Sequence, residues 1–284
     1  MCQEDNRRID AVLGRAATKL GEVSDSARLD AEILLGLSID MPRSYLFAHP
    51  DDILDDAAFD RFDALLQRRL HGEPMAYIVG TREFWSHELL VSPATLIPRP
   101  ESELLVELAL REIPRKAECN LLDLGTGSGA IAIAIASERL LCEICAVDNS
   151  PGALAIAREN ARQLSLGNIT FFEGSWTQPV RDRKFDVIVA NPPYVRADDP
   201  ALARLRYEPL EALASGQDGL DAIRVLAVEC VDILSDGGVL LLEHGAEQLD
   251  DVASLLATSG WTDICNHRDF SGHPRVTAAR RGGK

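Results

Sequence analysis

No apolar run in this chain is long enough to cross a bilayer. The longest, Ala130 to Ala136 and Val239 to Leu242, fall well short of the roughly 18 residues that a spanning helix requires. The opening Met1-Cys2-Gln3-Glu4-Asp5-Asn6-Arg7-Arg8 has no apolar stretch behind its arginines, so no secretory signal is expected and cytoplasmic residence is. A basic surplus is also missing. Lys and Arg number 29 against 45 Asp and Glu, a net charge of −16. Residues 1–83 hold 10 basic and 16 acidic side chains and the remainder 19 and 29, so neither part has the positive face that tracks phosphates. Nucleic acid and membrane are therefore not expected as partners.

Metal-ligand patterns are missing as well. Cysteines stand at 2, 119, 142, 145, 230 and 265. Only Cys142-Glu143-Ile144-Cys145 has redox or zinc spacing, without a second pair or a nearby histidine, and it lies in an apolar run that reads as a strand. All six are read as reduced core residues. His49, His71, His87, His244, His267 and His273 have no ligand spacing, so no metal is expected. Internal repeats and low-complexity segments are lacking. What is present is the balance of a globular protein, 46% hydrophobic and 26% charged over 284 residues. At roughly 150 residues per domain that length suggests about two domains.

Residues 1 to about 80 read as a small helical bundle. Ile9, Val12, Leu13, Ala16 and Leu20 recur at helical spacing, as do Leu29, Ile33, Leu34 and Leu37, and a third amphipathic segment runs from Asp55 to Leu70. Phe84–Val91 and Thr95–Ile97 read as two short strands turning at Ser92-Pro93-Ala94. From Glu101 onward helix and strand alternate, which predicts an α/β domain with a parallel sheet covered on both faces. Ala130-Ile131-Ala132-Ile133-Ala134-Ile135-Ala136 alternates with a strand's period of two. A helix is still expected there, because a glycine turn precedes it and alanine is the best helix former.

The first chemical signal is Leu121-Leu122-Asp123-Leu124-Gly125-Thr126-Gly127-Ser128-Gly129, an apolar strand running into a glycine turn and then a helix. Glycines here permit positive φ and let a ligand approach the backbone. The spacing is neither the dinucleotide fingerprint nor a Walker loop. Asp148 ends the next strand about 20 residues on, where a carboxylate accepts both hydroxyls of a ribose. Loop and aspartate together point to a nucleoside-containing cofactor. Trp176, after the third strand, is placed to line an adenine pocket.

The second signal is Phe185-Asp186-Val187-Ile188-Val189-Ala190-Asn191-Pro192-Pro193-Tyr194. Prolines fix φ and remove donors, leaving the Pro192 carbonyl as a rigid acceptor. Asn191 offers a second acceptor through its side-chain oxygen, and Tyr194 a flat face. Two acceptors beside an aromatic suit a planar NH2 group conjugated to a π-system, whether a carboxamide or the exocyclic amine of a base.

These residues resemble the class I methyltransferases that use S-adenosylmethionine. Gly72-Glu73-Pro74-Met75-Ala76-Tyr77-Ile78-Val79-Gly80, Glu83-Phe84-Trp85 and Val91-Ser92-Pro93-Ala94-Thr95-Leu96-Ile97-Pro98-Arg99-Pro100-Glu101 narrow the likeness to the peptide chain release factor glutamine methyltransferases (HemK/PrmC family). Tyr207-Glu208-Pro209-Leu210, Leu241-Leu242-Glu243-His244-Gly245 and Arg268-Asp269…Arg275-Val276-Thr277 continue it, covering roughly Arg28 to Thr277. The resemblance implies a Rossmann-like, mostly parallel seven-stranded sheet with helices on both faces. It implies a helical substrate-recognition domain over 1–82, a β-hairpin linker over 83–100 and a catalytic domain over 101–284.

The implied reaction is methyl transfer from S-adenosylmethionine to the side-chain amide of the Gln in a release factor's Gly-Gly-Gln loop, yielding S-adenosylhomocysteine. Cofactor contacts fall to Gly125, Thr126, Gly127, Ser128, Gly129, Asp148, Trp176 and Asn191. Catalysis falls to Asn191, Pro192 and Tyr194, and substrate binding to Asn191, Pro192, Pro193 and Tyr194. Release factors are the expected partners of a monomeric enzyme. Ser102 stands where the family usually has Thr, and Ser175 replaces an acidic residue that often precedes Trp176. The same tetrapeptide also serves adenine amino-group methyltransferases acting on DNA or RNA, against which the acidic balance weighs.

Overall fold

The computed structural model describes residues 5–281, so Cys2 and the first residues of the N-terminal octapeptide lie outside the described residues. The chain divides into two compact units, Met1–Gly80 and Thr81–Lys284.

The first unit is helical: α1 (Ile9–Leu20), α2 (Ala27–Ile39), α3 (Arg43–Ala48), α4 (Asp56–Leu70) and α5 (Met75–Val79). Hydrophobic periodicity reveals α1, α2 and α4. It misses α3 and α5, which at six and five residues are too short to display a period. Helix α1 buries Ile9, Val12, Leu13, Ala16 and Leu20 along one stripe, against Leu34 and Leu35 of α2 and Phe62 and Leu66 of α4. Asp55 caps α4, its Oδ1 accepting the Ala58 N–H at 2.7 Å. Two carboxylates of α2 are buried and fully engaged. Asp30 accepts Arg69 Nε at 2.9 Å and the hydroxyls of Ser24 and Ser26 at 2.7 and 2.9 Å. Glu32 accepts Arg28 Nε at 2.8 Å and Arg43 Nη2 at 2.6 Å.

The second unit opens with a hairpin, β1 (Thr81–Phe84) and β2 (His87–Leu90). This corrects the expected strand pair. The strands turn at Trp85-Ser86, both at positive φ (52° and 60°), as a tight two-residue hairpin loop demands. Ser92–Thr95 does form a turn, closed by Thr95 N–H donating to the Ser92 carbonyl at 2.9 Å. Thr95–Ile97 is nevertheless no strand, because the Ile97 N–H is taken by the Glu208 carboxylate at 3.0 Å.

Then follow α6 (Glu103–Glu112), β3 (Cys119–Leu124), α7 (Ala130–Glu138), β4 (Cys142–Asp148), α8 (Pro151–Gln163), β5 (Ile169–Glu173), β6 (Phe185–Ala190), α9 (Asp221–Ile233), β7 (Leu234–Glu243), α10 (Leu249–Thr258), β8 (Trp261–Arg268) and β9 (Pro274–Arg281). The seven-stranded sheet has the order β5-β4-β3-β6-β7-β9-β8. It is parallel except for β9, which runs antiparallel to β7 and β8. The pleat sends alternate residues to opposite layers. Leu121, Ile144, Val189 and Leu241 pack with α6 and α7, while Leu122, Ile188 and Leu240 pack with α9 and α10. All of Ala130–Ala136 is buried, so α7 needs no polar face and shows no helical period in sequence. Cys119, Cys142, Cys145 and Cys230 are buried thiols, whereas Cys265 on β8 is exposed rather than a core residue.

Asp30 and Arg69 should be strongly coupled in the helical unit. Asp30→Ala strands a half-buried guanidinium and should cost about 3 kcal/mol, more than the change made in an Arg69→Ala background. Urea unfolding of the two single variants and the double variant, followed by circular dichroism, measures that coupling. Additive losses would contradict it.

Candidate active site

Strand β3 ends at Leu124 and the chain turns through Gly125, Gly127 and Gly129, all at positive φ (75°, 57° and 83°). At Gly129 glycine is required twice, since a Cβ would also stand 3.1 Å from Ile133 Cδ1 and 3.2 Å from Ala157 Cβ. A Cβ on Gly127 would meet no protein atom within 4 Å, and this residue lines a cavity of about 170 Å³. Asp148, at the end of β4, reaches the loop directly. Its Oδ2 accepts the Gly127 N–H at 2.8 Å and its Oδ1 the Ser150 N–H at 2.9 Å. Burial raises its pKa and these backbone donors oppose the rise.

Gly125, Gly127, Asp148, Trp176, Asn191 and Pro193 all line this cavity, together with Asn149, Ser150, Ser175, the Ala94–Leu96 segment, Pro209, Glu211 and Ala212. Thr126 and Ser128 instead line a smaller cleft of about 50 Å³, with Phe84, Arg99, Ser102 and Ile131. Leu96, Gly125, Gly127 and Asn191 border both spaces, so the two adjoin along these residues. Gly129, Pro192 and Tyr194 line neither. Gly129 caps the start of α7, Pro192 is buried, and Tyr194 is directed at Glu243, its hydroxyl donating to Oε1 at 3.4 Å. The loop is anchored by Gln248 Nε2, which donates to the Tyr194 carbonyl at 3.0 Å.

Asn191 has a defined orientation. Its Nδ2 donates to Ser102 Oγ at 3.1 Å, which turns Oδ1 to the other side. Among the described residues no donor reaches Asn191 Oδ1 or the Pro192 carbonyl. Both remain free to accept.

Sequence reasoning missed the residues that hold this edge together. Glu208 is buried and accepts the Ile97 N–H at 3.0 Å and Arg99 Nη2 at 2.5 Å, tying the segment before α6 to the segment before Pro209. Asp123 and Glu243 are fully buried carboxyls at the ends of β3 and β7. Burial pushes Asp123 up to about 7, against the Thr126 hydroxyl that donates to its Oδ2 at 2.7 Å, and Asp148's charge adds to the rise. Burial pushes Glu243 up to about 7 as well, opposed by the Ser102 hydroxyl and Arg275. Only their place in the resemblance motifs marked these positions; acidic residues at strand ends carry no local signal of burial.

The Asp123 carboxyl should make stability fall with pH. Its pKa in the folded chain, about 7, lies above the ordinary 3.8, so the folded state holds the proton longer than the unfolded one. The contribution is present below the ordinary carboxylate range and is lost as pH rises to about 7. Asp123→Asn should remove this loss, gaining on the wild type between pH 5 and about 8. Urea midpoints at the two pH values check it; parallel shifts in both proteins would refute the assignment.

Residues 11–80 match the PrmC N-terminal domain family, and residues 115–267 match a methyltransferase domain family. The release factor glutamine methyltransferase of Coxiella burnetii is 46% identical, over 93% of this chain and 95% of that protein. The enzyme so named from Vibrio cholerae is 47% identical, over 95% of each chain, and that of Escherichia coli 44%, over 94% of this chain and 96% of its own. Among solved structures, a methyltransferase from Pyrococcus furiosus matches with a TM-score of 0.53 at 18% identity, covering 76% of this chain and 98% of that one, which shows the shared fold. With relatives this similar over nearly its whole length, the chain belongs to the release factor glutamine methyltransferase family.

Proposed function

We propose that this methyltransferase uses S-adenosylmethionine to methylate the side-chain amide nitrogen of the Gln in the Gly-Gly-Gln loop of peptide chain release factors. The observation that carries this reading is the acceptor pair. Asn191 Oδ1 and the Pro192 carbonyl are both without a donor among the described residues, and Asn191 borders both the cavity and the cleft.

The residues present fit the cofactor. Gly125 and Gly127 line the cavity with bare backbone, and Asp148 keeps accepting capacity beyond its two backbone bonds for a pair of ribose hydroxyls. Trp176 borders the same space and offers an aromatic face to an adenine. When bound, the cofactor supplies a methyl group made electrophilic by its positively charged sulfur. The chain's own part is to aim the nucleophile. An amide nitrogen is weak because its lone pair is delocalised. Accepting both of its N–H groups raises electron density on nitrogen and fixes which lobe faces the methyl. Both bonds strengthen as nitrogen becomes positive; one of its two protons then departs to solvent, leaving the neutral methylated amide with a single N–H. The helical unit, matched by the PrmC N-terminal family, recognises the protein substrate.

Asn191→Ala should slow single-turnover transfer to a release factor by about 100- to 1,000-fold, comparable to losing one preorganised charge-stabilising hydrogen bond. Its affinity for cofactor should change much less. Asp148→Ala should do the reverse, weakening cofactor binding by about 1.5–3 kcal/mol as two hydroxyls lose a charged acceptor. Rapid-quench transfer and calorimetry separate the two effects. Near-normal transfer by Asn191→Ala, or labelling of DNA or RNA in preference to a release factor, would overturn the reading.

A further inference from the structure

We infer that Glu208 is a positioning residue of the cofactor site: it latches residues 196–212 beside the cavity and so sets how long the cofactor stays bound. The inference rests on the reading above that S-adenosylmethionine occupies that cavity.

Two stretches of chain complete the cavity wall, Ala94–Leu96 and the group Pro209, Glu211 and Ala212. They are built differently. The first is stiff. Pro93, Pro98 and Pro100 fix φ around it, and Thr95, Ile97 and Pro98 are buried. Ala94 also lies against the start of α8, so near that a Cβ on Gly152 would stand 3.1 Å from the Ala94 Cβ.

The second stretch belongs to a loop whose ends are drawn together. The Val195 N–H donates to the Leu213 carbonyl at 2.8 Å and the Ser215 N–H to the Val195 carbonyl at 2.9 Å. Between those ends the backbone makes local turns, such as the Leu202 N–H to the Asp199 carbonyl at 3.1 Å and the Ala212 N–H to the Pro209 carbonyl at 3.0 Å. Over residues 196–212 the only buried residue is Glu208. No apolar residue of the stretch is buried, so hydrophobic packing does little to hold it, and segments of that kind open at low free-energy cost.

Glu208 stands where an apolar anchor would otherwise be needed. It is 6% exposed, and each oxygen has a partner on the stiff stretch or just beyond it: Oε2 accepts the Ile97 N–H at 3.0 Å and Oε1 accepts Arg99 Nη2 at 2.5 Å. A carboxylate removed from water needs both bonds to offset its desolvation. The join is therefore directional while closed, yet water can replace both partners when the loop lifts. The next residue, Pro209, already lines the cavity. Fastening Glu208 to the stiff stretch thus fixes one part of the wall against the other. Each turnover must exchange S-adenosylhomocysteine for fresh cofactor, and releasing this one carboxylate frees the wall for that exchange.

The test uses the full-length protein with Glu208→Ala, which removes both bonds, and Glu208→Gln, which keeps the shape but sets an NH2 against one of the two donors. Release of S-adenosylhomocysteine is followed by stopped-flow fluorescence, with Trp176 at the cavity as the reporter. Dissociation should quicken by about 10-fold or more in both variants, the effect of losing charge-assisted bonds that hold a site closed. KM for the cofactor should rise with it, while single-turnover transfer at saturating cofactor stays within about twofold of wild type. Amide hydrogens of 196–212 should exchange faster and those of β3 and β4 at their wild-type rates, which a general loss of structure would not produce. Unchanged dissociation in a folded Glu208→Gln protein would overturn the latch and leave the proposed function standing. A wild type that binds and releases the cofactor but leaves the release factor's glutamine unmethylated would overturn the proposed function alone, and one that binds no cofactor would overturn both.

Discussion

The pairing of β3 with β6 is the constraint on which everything else in the catalytic unit depends. These strands are 60 residues apart in sequence, yet Leu124 lies opposite Ala190 in a parallel ladder. The chain builds outward from β3 through β4 to β5 in one direction, then returns to build β6 and β7 in the other. Such a reversal leaves a crevice at the carboxyl ends of the two central strands. The register is sharp across four strands: Val147, Leu124, Ala190 and Leu242 form one row. The next residue along each strand is Asp148, Gly125, Asn191 or Glu243, so a single row of the sheet brings three cavity-lining residues and a buried carboxyl together.

That row also explains the unusual burial of charge. Strand ends in a doubly covered sheet are polar by necessity, since their last backbone groups no longer pair, but here they are also dry. Asp123 and Glu243 accept few hydrogen bonds, and burial outweighs those they have, so both sit near neutrality rather than in the carboxylate range. Asp148 is less buried, engages two backbone N–H groups and faces the cavity. Asp123 and Asp148, two residues apart in register on the neighbouring strands β3 and β4, therefore divide into a fully buried carboxyl and one that lines the cavity.

Much of this was legible in the sequence, for physical reasons that can be named. The glycine turn, Asp148 and the Asn-Pro-Pro-Tyr loop are local patterns, each encoding a backbone shape or a donor balance within a few residues. The alanine and isoleucine alternation of α7 was resolved because a glycine turn and helix propensity outweigh a period that full burial erases. The hairpin was misplaced because Ser92-Pro93 is a strong turn signal, whereas Trp85-Ser86 adopts positive φ without Gly or Asn to advertise it. Ser102, Glu208 and Glu243 act through partners 89, 111 and 49 positions away in Asn191, Ile97 and Tyr194, and no window of sequence contains such a pair.

The central claim is that two acceptors of one loop hold the two N–H groups of a primary amide during transfer. Its most direct test is exhaustive incubation of the full-length enzyme with a release factor and excess S-adenosylmethionine, followed by tandem mass spectrometry of the Gly-Gly-Gln peptide. The account predicts one methyl group on the side-chain nitrogen of that Gln and no second, because the methylated amide has only one N–H left to offer. A dimethylated nitrogen, or a methyl placed elsewhere on the release factor, would contradict it.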